Sequence, residues 1–270
     1  MPRTVQIALL PSLISPAFLD SIDLAIVIDT LRFTTTACQA LAAGATEIWT
    51  VSEVEEARRA AQAEHAKGRP TLLCGERECR PIAGFDLGNS PAEYLPDVIA
   101  GKQLIFSTTN GTRAVNAVRS VNRIALAAMV NRQAISNYAS HSSNQHIGIV
   151  CAGTDGAVAM EDVLTAGALA ERLTESVAAC HLHGDSAHLA LAAWRDVCGP
   201  QSAQVSKRIE HRFAACAGGN NLVKAGYEQD LHFAAQLDTL QAVPVAHPQC
   251  TPEPADSRCN ALIFSTTKIA

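Results

Sequence analysis

Short apolar runs alternate along the chain with longer segments in which apolar residues recur every three or four positions. The apolar runs at 5–10, 24–28, 46–51, 71–74, 103–107, 121–128 and 146–151 predict β-strands. The periodic segments at 34–43, 52–66, 131–140 and 160–179 predict helices. A regular strand, helix, strand order of this kind predicts an α/β protein.

Two Ser-x-x-Glu sequences, at 52–55 and 90–93, predict capping boxes in which the serine and glutamate side chains cap the start of a helix. The segment R-P-I-A-G-F-D-L-G-N-S-P at 80–91 is too irregular for a helix or strand and too apolar for a flexible linker. It predicts an ordered functional loop.

The second half of the chain is predicted to be mainly helical. Periodic segments at 186–197 and 203–215 predict two helices, and Gly219-Asn220-Asn221 precedes a third, short one. The last forty residues contain strand-like runs and prolines that the pattern does not assign to an architecture.

A single α/β domain over 1–270 is the predicted organisation, with two related halves as an open alternative. A shift of 76 residues places 36–42 on 112–118 and Ile48 on Ile124. Both stretches combine a threonine-rich turn, a helix of small residues and a strand. An internal duplication and ordinary α/β packing both explain this match.

The composition is that of a soluble globular protein, with 48% hydrophobic and 17% charged residues and a net charge of −5. Because no basic cluster is present, neither nucleic acid nor an anionic membrane surface is an expected partner. No run has transmembrane length and no signal peptide is recognised, so a cytoplasmic location is expected. Whether the chain forms a homo-oligomer stays open.

Cysteines and histidines do not suggest a metal centre. The nine cysteines include no C-x-x-C pair, and we expect most to be reduced and buried. His181, His183 and His188 are predicted to lie on a loop that runs into a helix, without the Cys or carboxylate ligands that would complete a site.

Polar residues follow several predicted strands. In open α/β sheets, ligands bind at the carboxyl ends of strands, where the next helix presents free N–H groups to anions. The polar residues and glycines at these positions are Asp29, Arg32, Thr34, Thr35, Thr36, Glu76, Arg77, Asp86, Asn89, Thr108, Thr109, Asn110, Gly111, Thr112, Arg113, Gly153, Thr154, Glu161 and Asp162. Hydroxyls, arginines, carboxylates and free backbone N–H groups together suit a phosphate and a hard divalent cation.

Simpler explanations stay open for several of these residues. Asp29 could cap a turn, the threonines could cap a helix, and Glu161 and Asp162 could complement a helix dipole. No P-loop or dinucleotide-binding fingerprint is present. A haloacid-type phosphatase signature is also absent, because Leu31 stands where a second aspartate is required.

The segments D-T-L-R-F-T-T-T, G-E-R, G-F-D-L-G-N-S-P, T-T-N-G-T, and C-A-G-T-D-G followed by E-D resemble the successive signatures of the 2-phosphosulfolactate phosphatase family. The resemblance covers residues 24–170. It implies a three-layer α/β/α fold and a magnesium-dependent hydrolase that converts (2R)-phosphosulfolactate to (2R)-3-sulfolactate and phosphate, as in coenzyme M biosynthesis. Phe33 and the 158–160 segment depart from the family pattern, which leaves the substrate more open than the chemistry.

We assign predicted roles within this framework. The catalytic residues are Asp29, Arg32, Glu76 and Arg77. The ligands of Mg²⁺ are Asp29, Asp86, Glu161 and Asp162. The substrate-binding residues are Thr34, Thr35, Thr36, Asn89, Thr108, Thr109, Asn110, Gly111, Thr112, Arg113, Gly153 and Thr154.

A small substrate with phosphate, sulfonate and carboxylate groups needs several cationic contacts, which Arg32, Arg77 and Arg113 are expected to supply. Asp29 is expected to hold magnesium while water attacks, in preference to attacking phosphorus itself. The alternatives are a phosphatase for another small phosphorylated hydroxy acid, a non-catalytic protein that binds such acids, and an enzyme that transfers the phosphoryl group to an acceptor other than water.

Overall fold

A computed structural model describes residues 3–141, 146–176, 180–199, 204–246 and 261–266. The strands are β1 Arg3–Ala8, β2 Leu24–Ile28, β3 Glu47–Thr50, β4 Thr71–Arg77, β5 Arg80–Pro81, β6 Gln103–Ser107, β7 Ile124–Ala127, β8 His146–Cys151, β9 Cys180–His183, β10 Pro244–Ala246 and β11 Leu262–Thr266. The helices are α1 Pro16–Asp20, α2 Phe33–Ala42, α3 Val54–Ala66, α4 Pro96–Ile99, α5 Gly111–Ala117, α6 Arg132–His141, α7 Met160–Ser176, α8 Asp185–Cys198, α9 Val205–Ala215, α10 Ala217–Ala225 and α11 Glu228–Ala234.

All of these strands belong to one sheet with the order β5-β4-β6-β3-β11-β10-β7-β2-β8-β1-β9. Strands β7, β2, β8, β1 and β9 pair in parallel and form the first parallel set. Strands β3, β6 and β4 form the second parallel set. Strands β10 and β11 join the two sets, and each is antiparallel to both of its neighbours.

Side chains alternate between the two faces of the sheet, because successive residues of a strand point in opposite directions. On one face, Val27 of β2 and Phe106 of β6 lie in a single core that also contains residues of α2 and α5. On the other face, Ile26 packs with α6, α7 and α8, whereas Ile105 packs with α3. Helices therefore cover both faces, which confirms the predicted three-layer α/β/α fold.

Helices α2 and α5 pack against strands of both parallel sets. Phe33 of α2 contacts Phe106 edge to face, with the ring centroids 5.5 Å apart, and Tyr94 stacks on Phe106 at 5.6 Å. All three rings are fully buried. The starts of α2 and α5 are thereby fixed next to the ends of strands from both sets.

Helices α9, α10 and α11 form a further layer against α7 and α8. Trp194, Ile209, Phe213, Leu222 and Leu231 make up most of its buried core. This layer brings residues after 204 close to the ends of β2 and β4.

Most predicted elements are confirmed, and three local predictions are wrong. Neither the 52–55 nor the 90–93 sequence forms a capping box. The N-cap residue of α3 makes no side-chain cap hydrogen bond, and the same is true of the short 3₁₀ helix at Pro91–Glu93. Residues 180–183, predicted as a loop, form the edge strand β9 because they pair in parallel with β1. The predicted ends of two helices, at 177–179 and 203, lie outside the described residues.

The proposed duplication stays a prediction. The unit β2-α2-β3 starts in the first parallel set and ends in the second, whereas β6-α5-β7 runs from the second set to the first. The two units matched by the 76-residue shift thus occupy related positions in the sheet.

Two features of composition are visible in the described part of the chain. Its seven cysteines are free thiols, and four of them are buried. Among the same residues, no helix is long and apolar enough to span a membrane.

Candidate active site

A cavity of about 640 Å³ opens where the two parallel sets meet the C-terminal helices. It receives residues that follow β2, β6 and β8 and residues from the end of β4. Its lining residues are Asp29, Leu31, Arg32, Glu76, Arg77, Glu78, Cys79, Arg80, Asn89, Thr109, Asn110, Thr154, Asp155, Gly218, Asn221, Leu222, Lys224 and Ala225. The predicted site residues among them come from five separate segments of the chain, so the structure brings distant signatures together.

Asp29 stands at the carboxyl end of the fully buried strand β2 and is itself only 7% exposed. Its backbone is locked by Thr34, whose N–H and hydroxyl each donate to the Asp29 carbonyl at 2.9 Å. Its carboxylate lies against the start of α5, where a Cβ atom on Gly111 would come within 2.5 Å of Asp29 Oδ2. Position 111 therefore requires a glycine, because any side chain there would displace the Asp29 carboxylate.

Carboxylates surround Asp29. Burial raises the pKa of Asp29 well above its ordinary value, and the charges of Asp162, Glu76 and Glu161 raise it further, while the Phe33 N–H opposes the shift. Burial and the charge of Glu161 raise the pKa of Asp162 to about 7. Negative charge is thus concentrated at one point of the cavity wall.

Asp162 ties this wall together. One of its oxygens accepts from the Thr30 N–H at 2.8 Å, and the other accepts from the Gly153 N–H at 2.9 Å. The turn after β2 and the turn after β8 are therefore held by the first turn of α7. Asp162 does not line the cavity but lies directly behind it.

Glu161 also lies behind the lining and is 2% exposed. Its Oε2 atom has no hydrogen-bond partner among the described residues. A Cβ atom on Gly218 of α10 would come within 2.1 Å of Glu161 Oε1, so α10 packs directly over this carboxylate. A buried anion that lacks a partner is costly unless a cation or proton neutralises it.

Arg32 is the most buried cation of the cavity, with its side chain 3% exposed. It donates from Nη1 to Asp230 Oδ2 and from Nη2 to the Cys79 carbonyl, both at 2.8 Å. Its guanidinium also lies 4.3 Å from the centroid of the Tyr227 ring. Because a guanidinium carries five N–H donors, these two hydrogen bonds leave others for a ligand in the cavity.

Arg77 and Glu76 fix the opposite wall. The two Arg77 Nη atoms donate to the carbonyls of Glu76, Ser107 and Ser52 and to the Ser107 hydroxyl, at 2.7–3.3 Å. Glu76 accepts from the N–H groups of Thr109 and Cys79 at 2.8 and 3.0 Å. These contacts tie β4 to the turn after β6, so both residues line the cavity with much of their hydrogen-bonding capacity already used.

Two lining residues carry buried polar atoms that have no partner within the described ranges: Asn89 Oδ1 and Thr109 Oγ1. The rest of each residue is well held, since the Asn89 carbonyl accepts from the Thr36 hydroxyl at 2.8 Å. Buried polar groups are normally satisfied, so unused ones at a cavity wall mark the position of a polar ligand.

The predicted threonines separate into two groups. Thr154 and Thr109 line the cavity, as does Asn110 at the start of α5. The hydroxyls of four others donate to backbone carbonyls: Thr34 to Asp29, Thr35 to Thr30, Thr36 to Asn89 and Thr112 to Thr108. The Thr108 hydroxyl instead accepts from the Thr112 N–H at 3.1 Å. The second group thus shapes the turns and does not cap α2, whose N-cap residue is Arg32 and makes no side-chain cap hydrogen bond.

Arg113 and Asp86 are not among the lining residues, so the structure does not bring them together with the other predicted site residues. Arg113 is on the exposed face of α5, because Ala114 and Val115 occupy the face that packs into the core. Asp86 is exposed, and its Oδ2 accepts from the Leu73 N–H at 2.8 Å, so it supports the edge of the sheet.

Sequence reasoning missed the contribution of the C-terminal helices. Lys224 and Asn221 of α10 line the cavity, as does Arg80 from β5, and Asp230 of α11 holds Arg32. The sequence signal was faint: Gly218 stands in a stretch of small residues, and its need for close packing against Glu161 is visible only in three dimensions.

A metal ion would find oxygen ligands here, although no three His, Cys, Asp or Glu side chains of the described residues are grouped as a ready-made metal site. Mg²⁺ is usually held by only one or two carboxylates together with water and substrate phosphate. Asp29 faces the cavity, and Glu161 offers an unpartnered buried oxygen. These donors fit a hard divalent cation, with Asp162 adjacent.

Comparisons with known proteins bear on the same residues. The family model described as 2-phosphosulpholactate phosphatase matches residues 9–249. A protein of Parasynechococcus marenigrum is 40% identical over 223 residues, which cover 82% of this chain and 88% of that protein. A protein of Deinococcus radiodurans is 37% identical over 227 residues, covering 84% and 88%. Both carry the name probable 2-phosphosulfolactate phosphatase.

The carboxylate cluster predicts a pH-dependent stability in the presence of a chelator. An acid whose pKa is higher in the folded state destabilises the fold as the pH rises above its unfolded value. We therefore expect the free energy of unfolding of the wild type, relative to Asp29→Asn, to fall as the pH rises from about 4 towards neutrality, because the pKa of Asp29 lies well above its ordinary value of 3.8 in the folded protein. Denaturant unfolding of both proteins in EDTA measures this difference.

Asp86→Asn is the matched control, because Asp86 is not among the carboxylates that act on Asp29. A difference between wild type and Asp29→Asn that stays constant across this pH range would contradict the clustered arrangement.

Proposed function

Because the chain belongs to the 2-phosphosulpholactate phosphatase family and is a phosphatase, we propose that it hydrolyses (2R)-phosphosulfolactate to (2R)-3-sulfolactate and phosphate with Mg²⁺, the reaction type of coenzyme M biosynthesis. The observation that carries this proposal is the juxtaposition of Arg32 and Asp29 in one cavity, beside the unpartnered atoms of Asn89 and Thr109.

The cavity suits a small substrate with several negative charges. Its volume of about 640 Å³ lies within the range of small-molecule sites. Four cations line it: Arg32, Arg77, Arg80 and Lys224. Phosphate, sulfonate and carboxylate groups can therefore each contact a different cation. From the sequence, Arg113 was expected to supply one of these cationic contacts.

Binding of the phosphate is assigned to the most buried part of the cavity. Arg32 is rigidly held there, and a planar guanidinium binds two phosphate oxygens at once. Thr109 can donate its unpartnered hydroxyl to a third oxygen. Because Arg32 is buried, such charge-assisted hydrogen bonds are stronger than they would be in bulk water.

Asp29, with Glu161 and Asp162 behind it, would hold Mg²⁺. The ion supplies neutralisation of the phosphate charge and a lowered pKa for bound water. In hydrolysis, a bond forms between a water oxygen and phosphorus, the bond from phosphorus to the lactate oxygen breaks, and that oxygen takes up a proton. Asp29 orients the reacting groups from the end of β2, and Arg32 stabilises the charge that spreads over the phosphate oxygens.

A non-catalytic protein that binds phosphorylated acids is less consistent with this site. Asp29 and Glu76 line the cavity beside the anion-binding groups, with Glu161 and Asp162 behind the lining, and these carboxylates would repel a bound phosphate in the absence of a cation. A site used only for binding has no need of this charge. Another small phosphorylated hydroxy acid stays a candidate substrate, and the assay below compares it directly.

We expect the purified protein to release phosphate from phosphosulfolactate in the presence of magnesium and to lose this activity in excess EDTA. A colorimetric phosphate assay measures both rates, with phospholactate as the comparison substrate that lacks the sulfonate. Equal rates with and without EDTA would disprove the role of the metal, and a clear preference for phospholactate would assign a different substrate.

Arg32→Gln should lower kcat/KM. The expected loss of transition-state stabilisation is at least about 2 kcal/mol, the size of a desolvated charge-assisted contact to phosphate. Arg113→Gln is the matched control, because Arg113 is exposed and outside the cavity. Steady-state kinetics of both variants, with circular dichroism to verify folding, decide the assignment. Equal losses in the two variants would place the anion site elsewhere.

Asp29→Asn should abolish turnover and weaken magnesium binding together, because it removes a carboxylate that would hold the ion. Calorimetric titration with magnesium chloride and rapid-quench experiments with labelled substrate test this expectation. No phosphoenzyme should accumulate in the wild type. A phosphoryl group trapped on Asp29 would instead make Asp29 the nucleophile.

A further inference from the structure

The buried carboxylate of Asp230 has no place in the chemistry described so far. It is 1% exposed, stands on α11, and is separated from Arg32 by 198 residues in sequence. Its Oδ2 accepts from Arg32 Nη1 at 2.8 Å, and its Oδ1 accepts from the Ser90 hydroxyl at 2.6 Å. Asp230 thus connects two segments that both contribute to the cavity.

Each of those segments carries a group that faces the ligand. Arg32 lines the cavity from the turn after β2, and Asn89, which precedes Ser90, lines it with an unpartnered Oδ1 atom. On the other side of the guanidinium, Tyr227, which immediately precedes α11, stacks at 4.3 Å. The start of α11 therefore fixes the Arg32 guanidinium in two ways: Tyr227 stacks on its plane, and Asp230 accepts a hydrogen bond at its end.

We propose that Asp230 is a positioning residue that orients the Arg32 guanidinium, and through Ser90 the Asn89 side chain, for binding of the substrate phosphate. A guanidinium binds two phosphate oxygens only when its plane and position are correct, and a long arginine side chain is flexible unless it is held. This inference rests on the proposed role of Arg32 in phosphate binding.

If Asp230 served only to neutralise the charge of Arg32, its removal would have the opposite effect on anion binding. If Asp230 only balanced the charge of Arg32, its removal would leave a stronger positive field in the cavity and tighten the binding of anions. If Asp230 orients Arg32, its removal weakens binding although the net charge becomes more favourable. The sign of the change therefore separates the two roles.

The test uses the full chain with magnesium and four variants: Asp230→Asn, Arg32→Gln, the double variant, and Asp238→Asn as control. Asp238 forms an ion pair of similar length with Arg132, at 2.7 Å, in a more exposed position outside the cavity. Calorimetry measures the Kd of inorganic phosphate, and steady-state assays measure kcat and KM for phosphosulfolactate.

We expect Asp230→Asn to raise the phosphate Kd and to lower kcat/KM about tenfold, since small displacements of a binding group have effects of this order. In the Arg32→Gln background, the same substitution should change either quantity by no more than about twofold, because Asp230 acts through Arg32. Asp238→Asn should leave both near the wild-type values. Additive effects, or tighter phosphate binding by Asp230→Asn, would overturn the proposal.

Ser90→Ala covers the case in which Asp230→Asn does not fold, because it keeps the ion pair and removes only the second hydrogen bond of Asp230. It should weaken phosphate binding in the same direction, and wild-type Kd and kcat/KM in this variant would contradict the proposal.

The phosphate titration also separates this inference from the proposed function. If the wild type binds phosphate but does not hydrolyse phosphosulfolactate, the proposed substrate is wrong. The positioning role of Asp230 can then still be tested from the phosphate Kd of the variants. A wild type that does not bind phosphate would refute both.

Discussion

The packing of two helices between two groups of parallel strands determines the rest of the molecule. Helices α2 and α5 bury small side chains and Phe33 against strands of both parallel sets. Their first residues therefore lie beside the ends of β2 and β6, which come from different parts of the sheet. A cavity between the sets is the geometric result, and its chemistry comes from the polar turns at those strand ends.

The concentration of buried charge in that cavity has a stability cost. Asp29, Glu161 and Asp162 are shielded from water and close to each other, and burial raises the pKa of both Asp29 and Asp162. The fold offsets this cost with backbone N–H groups directed at Asp162 and with tight packing around Asp29. Charges that destabilise the protein in this way would favour the binding of a cation beside them.

The sequence predicted those parts of the site that depend on local pattern. Asp29 was identifiable because a buried β-branched strand ends abruptly there, and the turns at 108–112 and 153–154 followed the same rule. Arg113 was not predictable in this way, because its direction depends on which face of a seven-residue helix meets the core. Asp230 and Lys224 could not be found, since only the tertiary fold brings α10 and α11 to the end of β2.

The fold class was predictable for a related reason. Alternating apolar runs and helical periods specify an α/β protein without reference to strand order. The order itself depends on β10 and β11, two short strands in a stretch of the sequence that contains several prolines and gave no clear pattern. The structure has two parallel sets joined by antiparallel strands, an arrangement that the alternating pattern does not specify.

The late position of β10 and β11 has a consequence for how the protein is made. Leu262 pairs with Thr50, and the hydrogen bond between these residues spans 212 positions of the chain. During synthesis, both parallel sets leave the ribosome well before the strands that join them. Contacts this distant in sequence slow folding, and they leave strand edges of both sets exposed in the growing chain. The two parallel sets are therefore joined only after residue 266 has been synthesised, and until then their unpaired strand edges are open to association with other chains.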